Sequence, residues 1–357
     1  MNDESVKENA RLNAQEYEQR LVTLKSYPRS AFIQIDAPCN QDCLFCSRPE
    51  SYSYFNLEKF RKEYESKLIS VFERAERLLL TGSGELLSLP EAKKNLAYFN
   101  SYKYAEKMFA TNGSTLTPKM LDYIIESGSR YTVHVSVHST DKNLHRIMTK
   151  SETYGAVTEN LAYLKKVKPQ AKGLTVNLIF LMTTQNMDKL SDFVRFAQET
   201  GADGVIAYYN YVYRLDQKKL SCYFAKEKTN AVIDRVSEDV KRSGSKLRLT
   251  LPPKFNEKQY QGIDLCGEAW SQIMINPRGD IITCDVAGDS RETLADKQFM
   301  DVWNGKYFTD IRKRLVAGDR SCSRYCFRAN PACVNDLRSH IITRGKSKEE
   351  IDKLIEE

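Results

Sequence analysis

The sequence predicts an α/β fold: a partial (β/α)6 barrel of TIM type, followed by a small α+β domain rich in cysteine. Three observations carry this expectation. Apolar stretches of strand length alternate with amphipathic helical stretches from residue 31 to residue 251. The alternation stops at PPKF (252–255), and a hairpin pattern replaces it. Each chemically suggestive motif of the first region directly follows a predicted strand, where parallel-stranded barrels place their active sites.

Residues 1–29 read as a charged helical lead-in, stopped at Pro28. AFIQIDA (31–37) is the first strand, and NLEKFRKEYESKLISVFERAE (56–76) is a helix by its apolar spacing. RLLLT (77–81) is a strand, followed by a glycine-containing loop and a helix opened by Pro90. KMFATNG (107–113) is a strand and turn, and TPKMLDYIIESG (117–128) is a helix with Pro118 in its first turn and Gly128 at its end. YTVHVSVH (131–138), GLTVNLIFLM (173–182), ADGVIAYY (202–209) and KLRLTL (246–251) are strands, with helices at 152–166, 187–200 and 226–243 between them. Serial β-then-α units imply a parallel sheet with right-handed crossovers and helices outside. WSQIMINPRGDIITCD (270–285) then reads as a β-hairpin. Two short helices near 297–304 and 306–317 and the stretch SCSRYCFRANPAC (321–333) follow. The expected division is 1–29 lead-in, 30–255 barrel, 256–335 cysteine-rich domain and 336–357 charged tail.

Composition narrows the class. The chain has 357 residues, 41% of them hydrophobic, enough for one large core. Its first fifteen residues contain no apolar run, which argues against a signal peptide. No window reaches the roughly 18 unbroken apolar residues of a spanning helix. The expectation is a cytoplasmic protein with no membrane partner. Lys and Arg (54) exceed Asp and Glu (47), but the densest basic spots, KRSGSKLRL (241–249) and RKRL (312–315), read as solvated helix faces and not as a nucleic-acid site. The nine cysteines are clustered: three at 39–46, five at 266, 284, 322, 326 and 333, with Cys222 alone. In a cytosolic chain such clusters mark metal, whereas a lone Cys is a small buried hydrophobe.

Cys39, Cys43 and Cys46 lie in IDAPCNQDCLFCSRPE (35–50) with the spacing C-x3-C-x2-C. Structural zinc takes four ligands, typically as two close pairs; this loop offers three. An iron–sulfur cube is held by thiolates, and a cube with three protein ligands keeps one iron open. The loop resembles that of the radical S-adenosylmethionine (SAM) superfamily, C-x3-C-x-φ-C with φ aromatic, here Phe45. The resemblance implies that Cys39, Cys43 and Cys46 ligate a [4Fe-4S] cluster whose open iron is chelated by SAM, with Phe45 beside the adenine.

Companion motifs extend the likeness over about residues 30–335. TGSGELLSLP (81–90) is similar to the family's Gly-Gly-Glu element, so Ser83, Gly84 and Glu85 would meet the SAM amino group; Ser83 replaces the first Gly, and Leu86 stands where Pro is usual. An ordinary βα turn would need Gly82 and Gly84 but not Glu85. ATNG (110–113), SVHS (136–139) and HRIM (145–148) are also family-like. Ser136 is the candidate ribose contact, with His134 and His138 expected on the same strand face. Asn177, a polar residue in an apolar strand, is a candidate SAM or substrate contact.

Cys266 and Cys284, with Gly279 between them, resemble the opening of the SPASM and shorter "twitch" extensions that carry auxiliary [4Fe-4S] clusters. Cys322, Cys326 and Cys333 supply further ligands. One auxiliary cluster with a spare thiol is the simplest accounting, and a four-cysteine zinc site is the rival. Asp285, beside Cys284, is the candidate general base.

The resemblance implies a radical SAM enzyme: reductive cleavage of SAM to a 5′-deoxyadenosyl radical, hydrogen abstraction from substrate, and a one-electron donor such as flavodoxin or ferredoxin. A small-molecule oxidation, of a sugar or aminocyclitol, is the expected reaction. About 30 residues precede the first strand, too few for the N-terminal peptide-binding domain of many peptide-modifying relatives. A peptide or protein maturase is the alternative, and a non-catalytic iron–sulfur or zinc module is the third reading.

Overall fold

The computed structural model describes residues 3–48, 52–256, 265–284, 291–319, 326, 331–342 and 346–356. Ten strands form one sheet: β1 (Ser30–Gln34), β2 (Arg77–Thr81), β3 (Glu106–Thr111), β4 (Tyr131–Ser136), β5 (Leu174–Met182), β6 (Gly204–Tyr209), β7 (Arg248–Thr250), β8 (Gln272–Ile275), β9 (Asp280–Ile282) and β10 (Glu292–Thr293). Their order is β10-β9-β8-β1-β2-β3-β4-β5-β6-β7, parallel from β8 through β7. The sheet ends in edges at β7 and β10, so it is a partial barrel and not a closed one.

The two faces differ sharply. Ala31, Ile33, Leu78, Leu80, Phe109, Val133, Val135, Val176, Leu178, Phe180, Val205 and Ala207 form a buried outer face. It is covered by helices including α3 (Ser66–Arg74), α4 (Ala92–Asn100), α5 (Pro118–Glu126), α7 (Tyr154–Val167), α8 (Leu190–Glu199) and α9 (Lys226–Ser243). On the inner face Thr81 and Ala110 are exposed and His134 and Ser136 half-buried, although each strand has neighbours on both sides. Exposed side chains in the middle of a sheet line a cavity. The curl that buries one face therefore leaves a hollow lumen.

Two segments differ from their sequence reading. Helix α1 (Asp3–Glu18) stops ten residues before Pro28, and three of its polar residues, Asn9, Asn13 and Glu16, are buried. Asn13 Nδ2 donates to Trp270 O at 2.7 Å and to Ser26 Oγ at 2.9 Å, and Tyr17 Oη donates to Leu265 O at 2.6 Å. Glu16 accepts from the backbone N–H of Lys25 and Ser26. These bonds make α1 a strap across the sheet end rather than a loose lead-in. At the other terminus Ile341 bridges to Val212, with Val212 N–H donating to His340 O at 2.7 Å. Helix α13 (Lys348–Glu356) places Leu354 in a small core with Val212, Leu337 and Ile341. The charged tail is packed.

The cysteine-rich region is joined to the barrel through the sheet itself. Strand β8 pairs in parallel with β1 over Ser30–Ile33 and Gln272–Ile275. Ile273, Trp303 and Phe308 share one continuous core with the barrel residues. Cys222 is fully buried. Among the described residues no helix is long and apolar enough to cross a membrane. Because the core is shared, Ile273→Ala should lower the stability of the whole chain by about 2–5 kcal/mol. A denaturant titration followed by near-UV circular dichroism should shift as a single transition; a separate, earlier C-terminal transition would contradict the shared core.

Candidate active site

The loop after β1 runs beside the loop after β2. Ala37 N–H donates to Ser83 O at 2.8 Å, Ser83 N–H to Asp36 Oδ1 at 2.7 Å and Glu85 N–H to Pro38 O at 3.0 Å. Glycine is required for this approach. A Cβ on Gly82 would stand 2.4 Å from Ile35 O, and on Gly84, at φ +93°, 1.8 Å from Ala37 O. Glu85 is buried, and its carboxylate accepts from Thr111 Oγ1 (2.8 Å) and Asn112 N–H (2.6 Å). Burial pushes its pKa up, while those donors pull it back. Glu85 thus locks the glycine element onto the ATNG turn, a task that an ordinary βα turn would not need. Asn112 Nδ2 in turn donates to Asn40 Oδ1 at 2.8 Å, reaching the cysteine loop.

The three thiols sit half-buried and free within this frame. Asp42 and Leu44 N–H donate to Thr149 O and Met148 O at the end of α6 (Lys142–Thr149). Gln41 Nε2 donates to Thr153 Oγ1 at 2.9 Å. Phe45 packs with Met148 and Leu220 and meets the His138 ring edge to face, centroids 4.8 Å apart. Burial raises the Cys43 thiol to about 12, with further contributions from Cys46 and Cys39; burial raises Cys39 too. The Cys39 and Cys43 thiolates would therefore be disfavoured by desolvation and by neighbouring thiols. Cationic iron reverses both effects, since it is the thiolate that ligates. Three soft donors in mutual electrostatic contact suit an iron–sulfur cube. Among the described residues no three His, Cys, Asp or Glu side chains are grouped to hold a single metal ion.

The remaining candidates line the lumen at different depths. His134 pairs with Asn177, and Ser136 pairs with Ile179 one inner row nearer the strands' C-terminal ends. Asn177 Oδ1 lies over Gly204, where a Cβ would approach it to 2.7 Å. His138 departs from the expected face because β4 ends at Ser136 and His138 turns to φ +56°. Its Nδ1 accepts from Leu181 N–H at 3.1 Å, and burial lowers its pKa to about 3, so the ring is neutral.

Cys266 and Cys284 are half-buried at the same end of the hairpin. Thr283 Oγ1, next to Cys284, donates to Glu268 O, two residues after Cys266. Cys326 and Cys333 are close enough to interact electrostatically, and Cys333 is buried. Cys322 and Asp285 lie outside the described residues. Sequence reasoning missed Gln217, whose Nε2 donates to the carbonyls of Leu44 and Cys46 from the loop between β6 and α9. Nothing in YNYVYRLDQKKL (209–220) marks it locally.

Gly84→Ala should abolish SAM binding by forcing the two loops apart, as measured by equilibrium dialysis of the anaerobic protein. Gly155→Ala, with nothing within 4 Å of the added Cβ, should leave binding intact.

The radical SAM superfamily profile matches residues 38–197, and that of the SPASM iron–sulfur cluster-binding domain matches residues 266–328. No curated protein sequence matches the chain. Streptococcus suis SuiB bound to S-adenosylmethionine is similar in structure, with a TM-score of 0.63 and 15% identity over 96% of this chain and 81% of that one. SuiB bound to the precursor peptide SuiA gives 0.62 and 16% over 85% and 71%. anSMEcpe with bound AdoMet gives 0.63 and 16%, covering 92% of each chain. These likenesses show a common fold. With both matches in place, the chain carries a radical SAM domain over residues 38–197 and a C-terminal SPASM iron–sulfur cluster-binding domain over residues 266–328.

Proposed function

We propose that this radical SAM enzyme oxidises a side chain of a peptide or protein. The observation that carries the chemistry is the placement of Cys39, Cys43 and Cys46 in one loop at the C-terminal end of β1, with Cys43 in electrostatic reach of both other thiols. These three residues would hold the SAM-binding [4Fe-4S] cluster, and Cys266, Cys284, Cys326 and Cys333, with Cys322, provide the ligands for auxiliary iron–sulfur binding. When bound, the first cluster supplies one electron, from a donor such as flavodoxin or ferredoxin, that splits SAM into methionine and a 5′-deoxyadenosyl radical.

The chain's own residues bind and orient. Gly82 and Gly84 allow the backbone of residues 81–85 to lie against the cysteine loop, offering SAM its main-chain groups. Glu85 fixes the turn by accepting from Thr111 and Asn112, and its carboxylate keeps acceptor capacity for the SAM amino group. Ser136 and Asn177 face the lumen in which the substrate would lie. The walls of that lumen restrict water around a reactive intermediate.

Substrate class turns on the neighbours. SuiB is seen with a precursor peptide and anSMEcpe with a peptide named Cp18Cys. Their shared fold favours a peptide over the sugar or aminocyclitol expected from the sequence. That expectation leaned on a single auxiliary cluster and on the shortness of the segment before β1.

Anaerobically reconstituted protein should hold about eight irons, falling to about four in the Cys39/Cys43/Cys46→Ala variant, since each cube carries four. The wild type with dithionite should convert SAM to 5′-deoxyadenosine, and the variant should not. Incubation with candidate peptides should give a product lighter by two hydrogens. SAM cleavage coupled to a sugar alcohol, with every peptide unchanged, would overturn the substrate class; zinc in place of iron would overturn the chemistry.

A further inference from the structure

We infer that Gln217 is the positioning residue of the cysteine loop, setting the direction of the third thiol by gripping the carbonyls of Leu44 and Cys46, the residues on either side of Phe45. The inference rests on Cys39, Cys43 and Cys46 holding the cluster. Gln217 is fully buried. Its Nε2 donates to Leu44 O at 3.1 Å and to Cys46 O at 3.1 Å. Its Oε1 accepts from Tyr213 N–H at 3.0 Å and from Arg214 N–H at 3.3 Å. Two carbonyls face the amide nitrogen and two N–H groups face its oxygen, so the amide can sit only one way round.

The grip falls on the turn that carries the second and third thiols. Cys46 N–H donates to Cys43 O at 3.0 Å, closing the turn that carries the second and third thiols. Gln217 holds that turn from outside, and Arg214 adds a second donor to Cys46 O at 3.0 Å. Leu220, on the same short helical element (Leu215–Leu220), packs on Phe45. The element is itself braced from the far side, because Val212 bridges to Ile341 and α13 packs against it. Outer-layer hydrogen bonds of this kind orient metal ligands, and their loss typically weakens metal retention about 10–100-fold.

The test uses the anaerobically reconstituted full chain with Gln217→Ala and with Gln217→Glu. The Glu variant keeps size and both acceptor contacts but turns an oxygen toward two carbonyls. Release of iron to a ferrous chelator should accelerate about 10–100-fold for half of the iron. The other half, at the auxiliary site, should leave at the wild-type rate. The electron paramagnetic resonance signal of the reduced cluster should also lose its response to SAM. Should the buried variants not fold, Arg214→Ala at the exposed end of the clamp carries the test, with a severalfold faster release expected. Unchanged release and spectrum in folded Gln217→Ala, or equal acceleration of all the iron, would overturn the inference. A wild-type chain without iron would overturn the cluster assignment on which it rests.

Discussion

Three thiols have to be kept facing one another in a loop with no regular structure of its own, and much of the surrounding structure serves that constraint. Burial, with a smaller contribution from neighbouring thiols, opposes the thiolate forms of Cys39 and Cys43. Left to itself, such a loop would relax by swinging its thiols apart. It is prevented by hydrogen bonds from three directions: the glycine element after β2, the end of α6, and the amide of Gln217. Because these bonds run to backbone groups, they fix the path of the chain and leave the sulfur atoms available.

The frame works only because the sheet divides its labour. Valine, leucine and phenylalanine on the outer face bury against the helices and provide the stability. The inner face is thereby released from packing duty and can carry Thr81, Ala110, His134 and Ser136 around open space. A barrel whose interior were filled with side chains, as in many closed eight-stranded barrels, would have no room for a cofactor and substrate together. Leaving the sheet open at β7 and β10 makes the lumen accessible from the mouth on which the cysteine loop stands.

What could be read from the sequence was whatever is determined locally. Strands showed through their apolar runs, and the cysteine loop through its C-x3-C-x2-C spacing. Gly82 and Gly84 were legible because a close backbone approach tolerates nothing larger. Features decided by distant partners were hidden. Asn9, Asn13 and Glu16 stood in a charged helical lead-in with nothing to mark them, yet their partners at Tyr27, Ser26 and Trp270 bury them. His138 seemed to continue the strand alternation, but its left-handed backbone takes it out of register. Gln217 carries no local signal at all, since its meaning lies in two carbonyls some 170 residues earlier.

The pairing of β8 with β1 bears on how the two cysteine sets relate. The first set leaves the C-terminal end of β1, and the second brackets the hairpin that begins with β8. A strand shared in this way cannot shift on one side without disturbing the ladder on the other, because parallel registers slip only in whole residues and each slip exchanges buried for exposed side chains. Ala31 and Ile33 face the same buried layer as Ile273 and Ile275, so a slip would drive Phe32 and Met274 into that layer. The two sites are thus held in fixed relation by packing that neither site contributes to, and a hinge between barrel and hairpin would have to break this ladder first.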